Sequence, residues 1–312
     1  MSALPRPLQS GDRVQLAAAS SCLQSDAIER LERGIAVLES WDLVVERHPQ
    51  PLRQWGYLAG SDPQRRADLN SEAPLLACLR GGWGSARLLE QGLPASSTPQ
   101  WLLGFSDVTS LLWARQAAGI AGGIHGPMLT SLAAEPVWSQ QRLRDLLFGR
   151  PLAPLQGESW RRGVAEGPLL VGNLTVATHL LGTPHLPSLQ GAVLVLEDIG
   201  EAPYRLDRML THWRLCGALQ QLAGIAFGNF SGCDDDENED ADCEADPQGS
   251  DATARNQAPF RLQAVLQERT ADLGIPVLAQ LPVGHEAGNA ALPIGQRARL
   301  DANRGTLELL GR

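Results

Sequence analysis

Residues 101–114 read WLLGFSDVTSLLWA. The first five are an apolar run of strand length, and Val108, Leu111, Leu112 and Ala114 recur on one helical face, so the spacing predicts a buried strand that turns directly into a helix. Gly104, Ser106 and Asp107 stand between the two. A hydroxyl and a carboxylate inside a buried segment are costly unless paired, which places the turn at the serine.

The same strand–helix alternation extends towards the N-terminus. RVQLAAAS (13–20) reads as a strand, SDAIERLERGIAVLESW as an amphipathic helix, LVVERH as a strand, PQRRADLNSEA as a helix, LLACLRGG as a strand and SARLLEQG as a helix. Alternation of this kind predicts an α/β fold with a doubly wound parallel sheet. At 312 residues the chain exceeds what one core usually organises. The Pro-, Gly- and charge-rich stretch around 153–167 lacks a period and predicts a linker between an N-terminal domain (1–152) and a C-terminal one (168–312). The second half continues with strands AVLVLE and GIAFGNF, the helix PYRLDRMLTHWRLCGALQQL, and a hairpin ARLDANRGTLELL turning at 303–305.

Composition excludes several chemistries. Every one of the 26 basic side chains is arginine, so Schiff-base catalysis, pyridoxal phosphate attachment and a Walker A lysine are impossible. The formal charge of −9 speaks against nucleic acid as a partner. That charge is local: residues 234–246 hold nine carboxylates, and removing them from 35 leaves 26 acids against 26 arginines. Asp234, Asp236 and Asn238 begin an EF-hand spacing, but Glu239 takes the place of the turn glycine and Ala245 that of the bidentate glutamate, so the insertion at 232–257 reads as a solvated loop. Five cysteines without a CxxC pair read as thiols of a reducing, cytoplasmic compartment, with no metal and no cofactor expected. No apolar run approaches the roughly 20 residues of a membrane span.

Ser106, at a strand-to-helix turn, suits a nucleophile elbow, although GxSxG would need glycine where Val108 stands, and a helix cap by Ser106 or Asp107 is the alternative. Gly81, Gly82 and Gly84 open the next helix upstream. They fail the dinucleotide fingerprint at Arg87 and suit close backbone approach to an oxyanion, or simply a tight turn. A serine nucleophile needs a base. Of six histidines, His125 and His285 lie in glycine-rich loops after apolar runs, while His48 and His212 sit in surface-like contexts. Glu197 and Asp198 end a strand, and Glu201 follows in LEDIGE.

Seven ordered blocks, SGDRVQLAAASS, LRGGWGSARLL, LLGFSDVTSLL, GIHGPM, GNLTVATHLLGT, VLVLEDIGEAPYRLDRML and LPVGHEAGNAALPIGQRARLD, give nearly the whole chain a resemblance to the LD-carboxypeptidase family of serine peptidases. The resemblance implies a glutamine-amidotransferase-like N-terminal domain, a smaller β-rich C-terminal one, and a Ser–Glu–His triad. By motif the nucleophile is Ser106 of GFSD, the orienting acid Glu197 of LEDIGE and the base His285 of VGH, with oxyanion donors at Asp107 and Gly82. It implies a homodimer acting on murein tetrapeptide, at the amide between the L-centre of a diamino acid and C-terminal D-alanine. A microcin-immunity peptidase would use the same triad on an adenylate-like peptide. A non-catalytic small-molecule binding protein would account for the fold but not for the three residues together. The chain order sets the triad across the domain junction.

Overall fold

An apolar run without polar alternation, such as Leu75–Cys78, is buried on both faces of a sheet. The computed structural model describes residues 4–93, 98–234 and 261–311, so the acidic segment from residue 235 onward lies outside the described residues. Strands β1 (Arg13–Ala17), β2 (Val44–Glu46), β3 (Leu75–Cys78), β4 (Trp101–Gly104) and β5 (Gly123–His125) lie parallel in the order β2-β1-β3-β4-β5. Leu75 and Ala77 of β3 enter one core layer, and Leu76 and Cys78 the other, as the period of two requires. The α-helices among the described residues of this half are α1 (Ile28–Glu39), α2 (Asp62–Leu69), α3 (Thr109–Ala117), α4 (Leu129–Leu132) and α5 (Val137–Leu147). α1, α4 and α5 bury Leu31, Ile35, Leu129 and Leu143 on the Leu75 side, while α2 and α3 cover the Leu76 side. Residues 86–91, where the pattern suggests a third α-helix, form a 3-10 helix; only six residues separate Ser85 from Gly92 at φ +75°, too few to propagate an α-helix.

Among the described residues the second sheet has eight strands. β6 (Leu155–Gln156), β7 (Glu158–Arg161), β8 (Val164–Asn173), β9 (Val193–Ile199), β10 (Gly224–Ser231) and β11 (Val277–Ala279) are joined by β13 (Arg297–Asp301) and β14 (Thr306–Leu309) in the order β6-β14-β13-β8-β9-β10-β11-β7. β8 serves two pairings: residues 164–168 run antiparallel to β13, and residues 169–173 parallel to β9. Helices α6 (Leu174–Leu180), α7 (Pro203–Leu215) and α8 (Leu262–Thr270) are the α-helices among the described residues of this half. Residues 155–167, which composition assigns to a connection, form β6, β7 and the start of β8. β6 and β7 are the two edges of the sheet, where glycine, proline and charge are at home. β12 (Leu292–Pro293) crosses back and pairs with β5, so the C-terminal half supplies the last strand of the first sheet.

The two halves meet along α3. Residues 109–115 are all buried, and one core layer runs from Leu111, Leu112 and Trp113 into Leu170, Val171 and Leu194. Trp113 Nε1 donates to the Val171 carbonyl at 2.8 Å, and its ring meets Trp213 edge-on at 6.3 Å. β8 approaches this closely because residue 172 is glycine; a Cβ there would lie 2.6 Å from Thr109 Cγ2 and 3.1 Å from Trp113 Nε1. Among the described residues no helix is long and apolar enough to cross a membrane. Gly172→Ala is therefore expected to overpack this joint and cost about 1–3 kcal/mol, seen as a lower urea midpoint at an unchanged slope. An unchanged midpoint would mean the contact has slack.

Candidate functional site

Ser106 opens a 3-10 turn (Ser106–Val108) that runs into α3, and its φ is +58°. A left-handed serine costs on the order of 1 kcal/mol and persists only where its surroundings hold it. They do so through Asp107, whose side chain caps no helix. Its Oδ2 accepts from Ser85 N at 2.8 Å, while the Ser85 hydroxyl lies 2.6 Å from both Asp107 O and Ser110 Oγ. The buried carboxylate thus ties the glycine loop after β3 to the turn after β4. The Asp107 N–H itself stands at the start of the turn, where helical geometry provides no partner.

That glycine loop touches the serine. A Cβ on Gly81 would lie 3.0 Å from Ser106 Cβ and 3.1 Å from its Oγ, and one on Gly82, at φ +109°, would strike the Ser21 hydroxyl. Ser21 comes from the loop after β1 and accepts from Trp83 N at 2.9 Å. Wholly buried Arg65 holds the two loops together, donating to Ala19 O at 2.5 Å and Gly84 O at 2.8 Å.

Of the three carboxylates in LEDIGE, one meets a candidate histidine. Glu197, fully buried at the end of β9, has Oε2 2.7 Å from His285 Nδ1. Asp198 accepts instead from Asn173 Nδ2, Thr175 N and Thr175 Oγ1 at 2.8–2.9 Å. Glu201 faces Arg205 at 3.6 Å in a separate groove of about 640 Å³ between α6 and α7. Burial pushes the Glu197 carboxyl above its ordinary range, and the His285 hydrogen bond and charge pull the other way.

His285 reaches Glu197 through a bulge. β10 carries one extra residue against β9 between Phe227 and Phe230. There, Gly228 lets the backbone of Val283 lie against the strand, with Asn229 N donating to Val283 O at 2.8 Å. Gly284, at φ +134°, leaves no Cβ to crowd Glu197 Oε2. The His285 ring then packs on Phe105, centroids 4.8 Å apart. Phe105, Gly228 and Gly284 escape a reading for chemistry; a lone glycine inside a strand pattern was the available signal for the bulge.

His125 is in β5 rather than in a loop, fully buried, and neither ring nitrogen has a partner among the described residues. Burial, helped by the His285 charge, lowers its pKa to about 3, so it stays neutral. His48 is buried too, its Nε2 3.1 Å from Asp68, which also binds Arg53; the surface reading of this residue is corrected.

Ser106, His285, Phe105, Gly81, Gly82 and Met128 border one cavity of about 460 Å³. Arg30 and Arg80 also line it, so apart from His285 its ionisable lining is cationic. Arg80 donates to Cys22 O and Gly81 O, both at 3.2 Å, and among the described residues no carboxylate offsets it. The arrangement combines a hydroxyl on a sharp turn, a carboxylate-oriented imidazole and glycine backbone, which together suit acyl transfer.

Comparison with known proteins agrees in both halves. Residues 14–126 match the family model described as LD-carboxypeptidase N-terminal domain, and residues 166–300 its C-terminal domain. A putative carboxypeptidase of Synechocystis sp. is 46% identical over 98% of this chain and 97% of its own. The murein tetrapeptide carboxypeptidase of Pseudomonas aeruginosa is 33% identical over 94% of each chain. Among solved structures, muramoyltetrapeptide carboxypeptidase from Oxalobacter formigenes superposes with TM-score 0.78 at 25% identity, covering 95% of this chain and 97% of that one. The microcin C7 self-immunity protein shares the fold, with TM-score 0.84 at 19% identity over 100% and 99% of the two chains.

His125 yields a pH prediction. Its folded pKa lies below the unfolded value of about 6.5, so the unfolded chain binds the additional proton and stability is lost as pH falls from 6.5 towards 3. Between pH 6.5 and 5 this amounts to about 2 kcal/mol. Urea titrations at both pH values should show His125→Leu losing less stability than the parent by that amount; equal losses would mean the ring is protonated in the fold.

Proposed function

Because the chain belongs to the LD-carboxypeptidase family, and is accordingly a serine carboxypeptidase, we propose that it releases C-terminal D-alanine from murein tetrapeptide by cleaving its amide to the L-centre of a diamino acid. Ser106 is the nucleophile, His285 the base and Glu197 the acid that orients it. The observation that carries this reading is the 2.7 Å Glu197–His285 contact, delivered to the cavity that Ser106 borders.

His285 takes the Ser106 proton as Oγ attacks the carbonyl, and Glu197 holds the ring tautomer with Nε2 free and stabilises the imidazolium that forms. Among the described residues the Ser106 hydroxyl makes no hydrogen bond, so its contact with His285 closes with substrate in place, as in many unliganded enzymes. The N–H groups of Asp107 and Gly82 receive the oxyanion. His285 then protonates the leaving D-alanine, and water frees the acyl-enzyme. The substrate's terminal carboxylate lies one residue from the scissile carbonyl, and Arg80 is the uncompensated cation within the same cavity. The products, a tripeptide and free D-alanine, fit cytoplasmic recycling of murein.

Incubation with murein tri-, tetra- and pentapeptides, followed by mass spectrometry, should show D-alanine released from tetrapeptide alone. Ser106→Ala should abolish release at an unchanged melting temperature, and retained turnover would remove Ser106 from the mechanism. Glu197→Gln should lower kcat by about 10³-fold or more, by analogy with the tautomer error of the serine-protease triad. It should not lower stability, because the substitution removes a buried charge. Glu201→Gln should stay within tenfold; the opposite ranking would make Glu201 the acid.

A further inference from the structure

The loop that delivers His285 has little of its own to hold it. Gly284 and Gly288 bound it at φ +134° and +104°, so five residues carry unusual backbone freedom that must be lost for the ring to stay in place. Within the loop, Asn289 Oδ1 accepts from Gly284 N at 3.1 Å. Ser231 Oγ donates to Glu286 Oε1 at 3.3 Å, and Ala290 N to Pro282 O at 2.8 Å. Further restraints come from Glu135, between α4 and α5, and from the first turn of α5, in the other half of the chain. Glu135 Oε2 accepts from both Gly288 N at 2.7 Å and Asn289 N at 3.0 Å. Ser139 Oγ donates to Asn289 O at 2.8 Å, and the Trp138 ring occupies the space where a Cβ on Gly288 would lie.

We propose that Glu135 is a positioning residue for the hydrolysis: its carboxylate, by accepting from two consecutive loop amides, fixes residues 284–289 so that His285 stays against Glu197 and open to Ser106. This rests on the assignment of Ser106, His285 and Glu197 made above. A carboxylate that is 9% exposed and forms no ion pair among the described residues is a poor choice for stability alone. Two charge-assisted hydrogen bonds to one oxygen give it a directional hold that an apolar side chain could not supply. Burial holds its pKa above the ordinary range, and the hydrogen bonds from the two amides and Ser139 pull against that burial towards the ionised form. The clamp also couples the halves: displacement of the α4–α5 segment from the second sheet would carry the histidine away from its acid.

The test measures D-alanine release from murein tetrapeptide by the full-length protein and its variants, with a melting curve for each. Glu135→Ala should lower kcat about 10²-fold, the loss typical of a misplacement near 1 Å, with KM within threefold. Glu135→Gln keeps an oxygen that accepts both amides and should recover kcat to within fivefold. Glu135→Asp, which retains the charge but withdraws the oxygen by one methylene, should lose about tenfold and keeps the test open if the alanine variant fails to fold. The proposal is overturned if Glu135→Asp stays within twofold of the parent, or if kcat in Glu135→Ala is unchanged while His285→Ala is inactive. Failure of Glu135→Gln to rescue would also overturn it. Full turnover by His285→Ala would instead remove the base itself, and the triad assignment with it.

Discussion

Thr109 and Trp113 of α3 close on the backbone of Gly172, and the geometry of the site follows from that contact. α3 is buried along both flanks, so the turn that precedes it cannot relax, and Ser106 is held at a φ that an isolated serine would leave. The same strand end that receives α3 pairs Asn173 with Glu197 on β9. Nucleophile turn and acid are therefore carried by one rigid unit, built from both halves of the chain. Precision of this kind is easier to maintain on packed strands and helices than on loops.

The strand order adds the second constraint. With β1 and β3 adjacent at the centre, the loops that leave them diverge and open a crevice at their carboxyl ends, the usual ligand position in doubly wound sheets. Ser21 from the first loop and Gly81 and Gly82 from the second meet there beside Ser106. Arg65, Ser85 and Asp107 hold these pieces together from beneath, through hydrogen bonds to backbone groups. The base alone arrives on a loop, which explains why so many contacts converge on residues 283–289.

Much of this is legible in the sequence, for identifiable reasons. The strand–turn–helix of 101–114 is local, and its apolar spacing places the serine at the bend. The hairpin of β13 and β14 is local as well, its turn marked by residues 303–305. What stays hidden is non-local. In LEDIGE the strand end favours Glu197 over Glu201, which follows Gly200, but the contact itself is non-local: the bulge at Gly228 and the path of Val283 bring His285 to Glu197. His125 sits among glycines as a loop residue would, yet it pairs on both sides within a sheet because Leu292 returns to cover it. Glu135 meets amides 153 and 154 positions away, a separation at which periodicity carries no information.

The central claim is that His285, oriented by Glu197, activates Ser106. Labelling with a fluorophosphonate, which reacts with activated serines, tests it without reference to any substrate. Peptide mapping by mass spectrometry should place a single adduct on Ser106, and His285→Ala should slow its formation by orders of magnitude in a folded protein. An adduct on a different serine, or labelling of Ser106 at an undiminished rate without His285, would contradict the account.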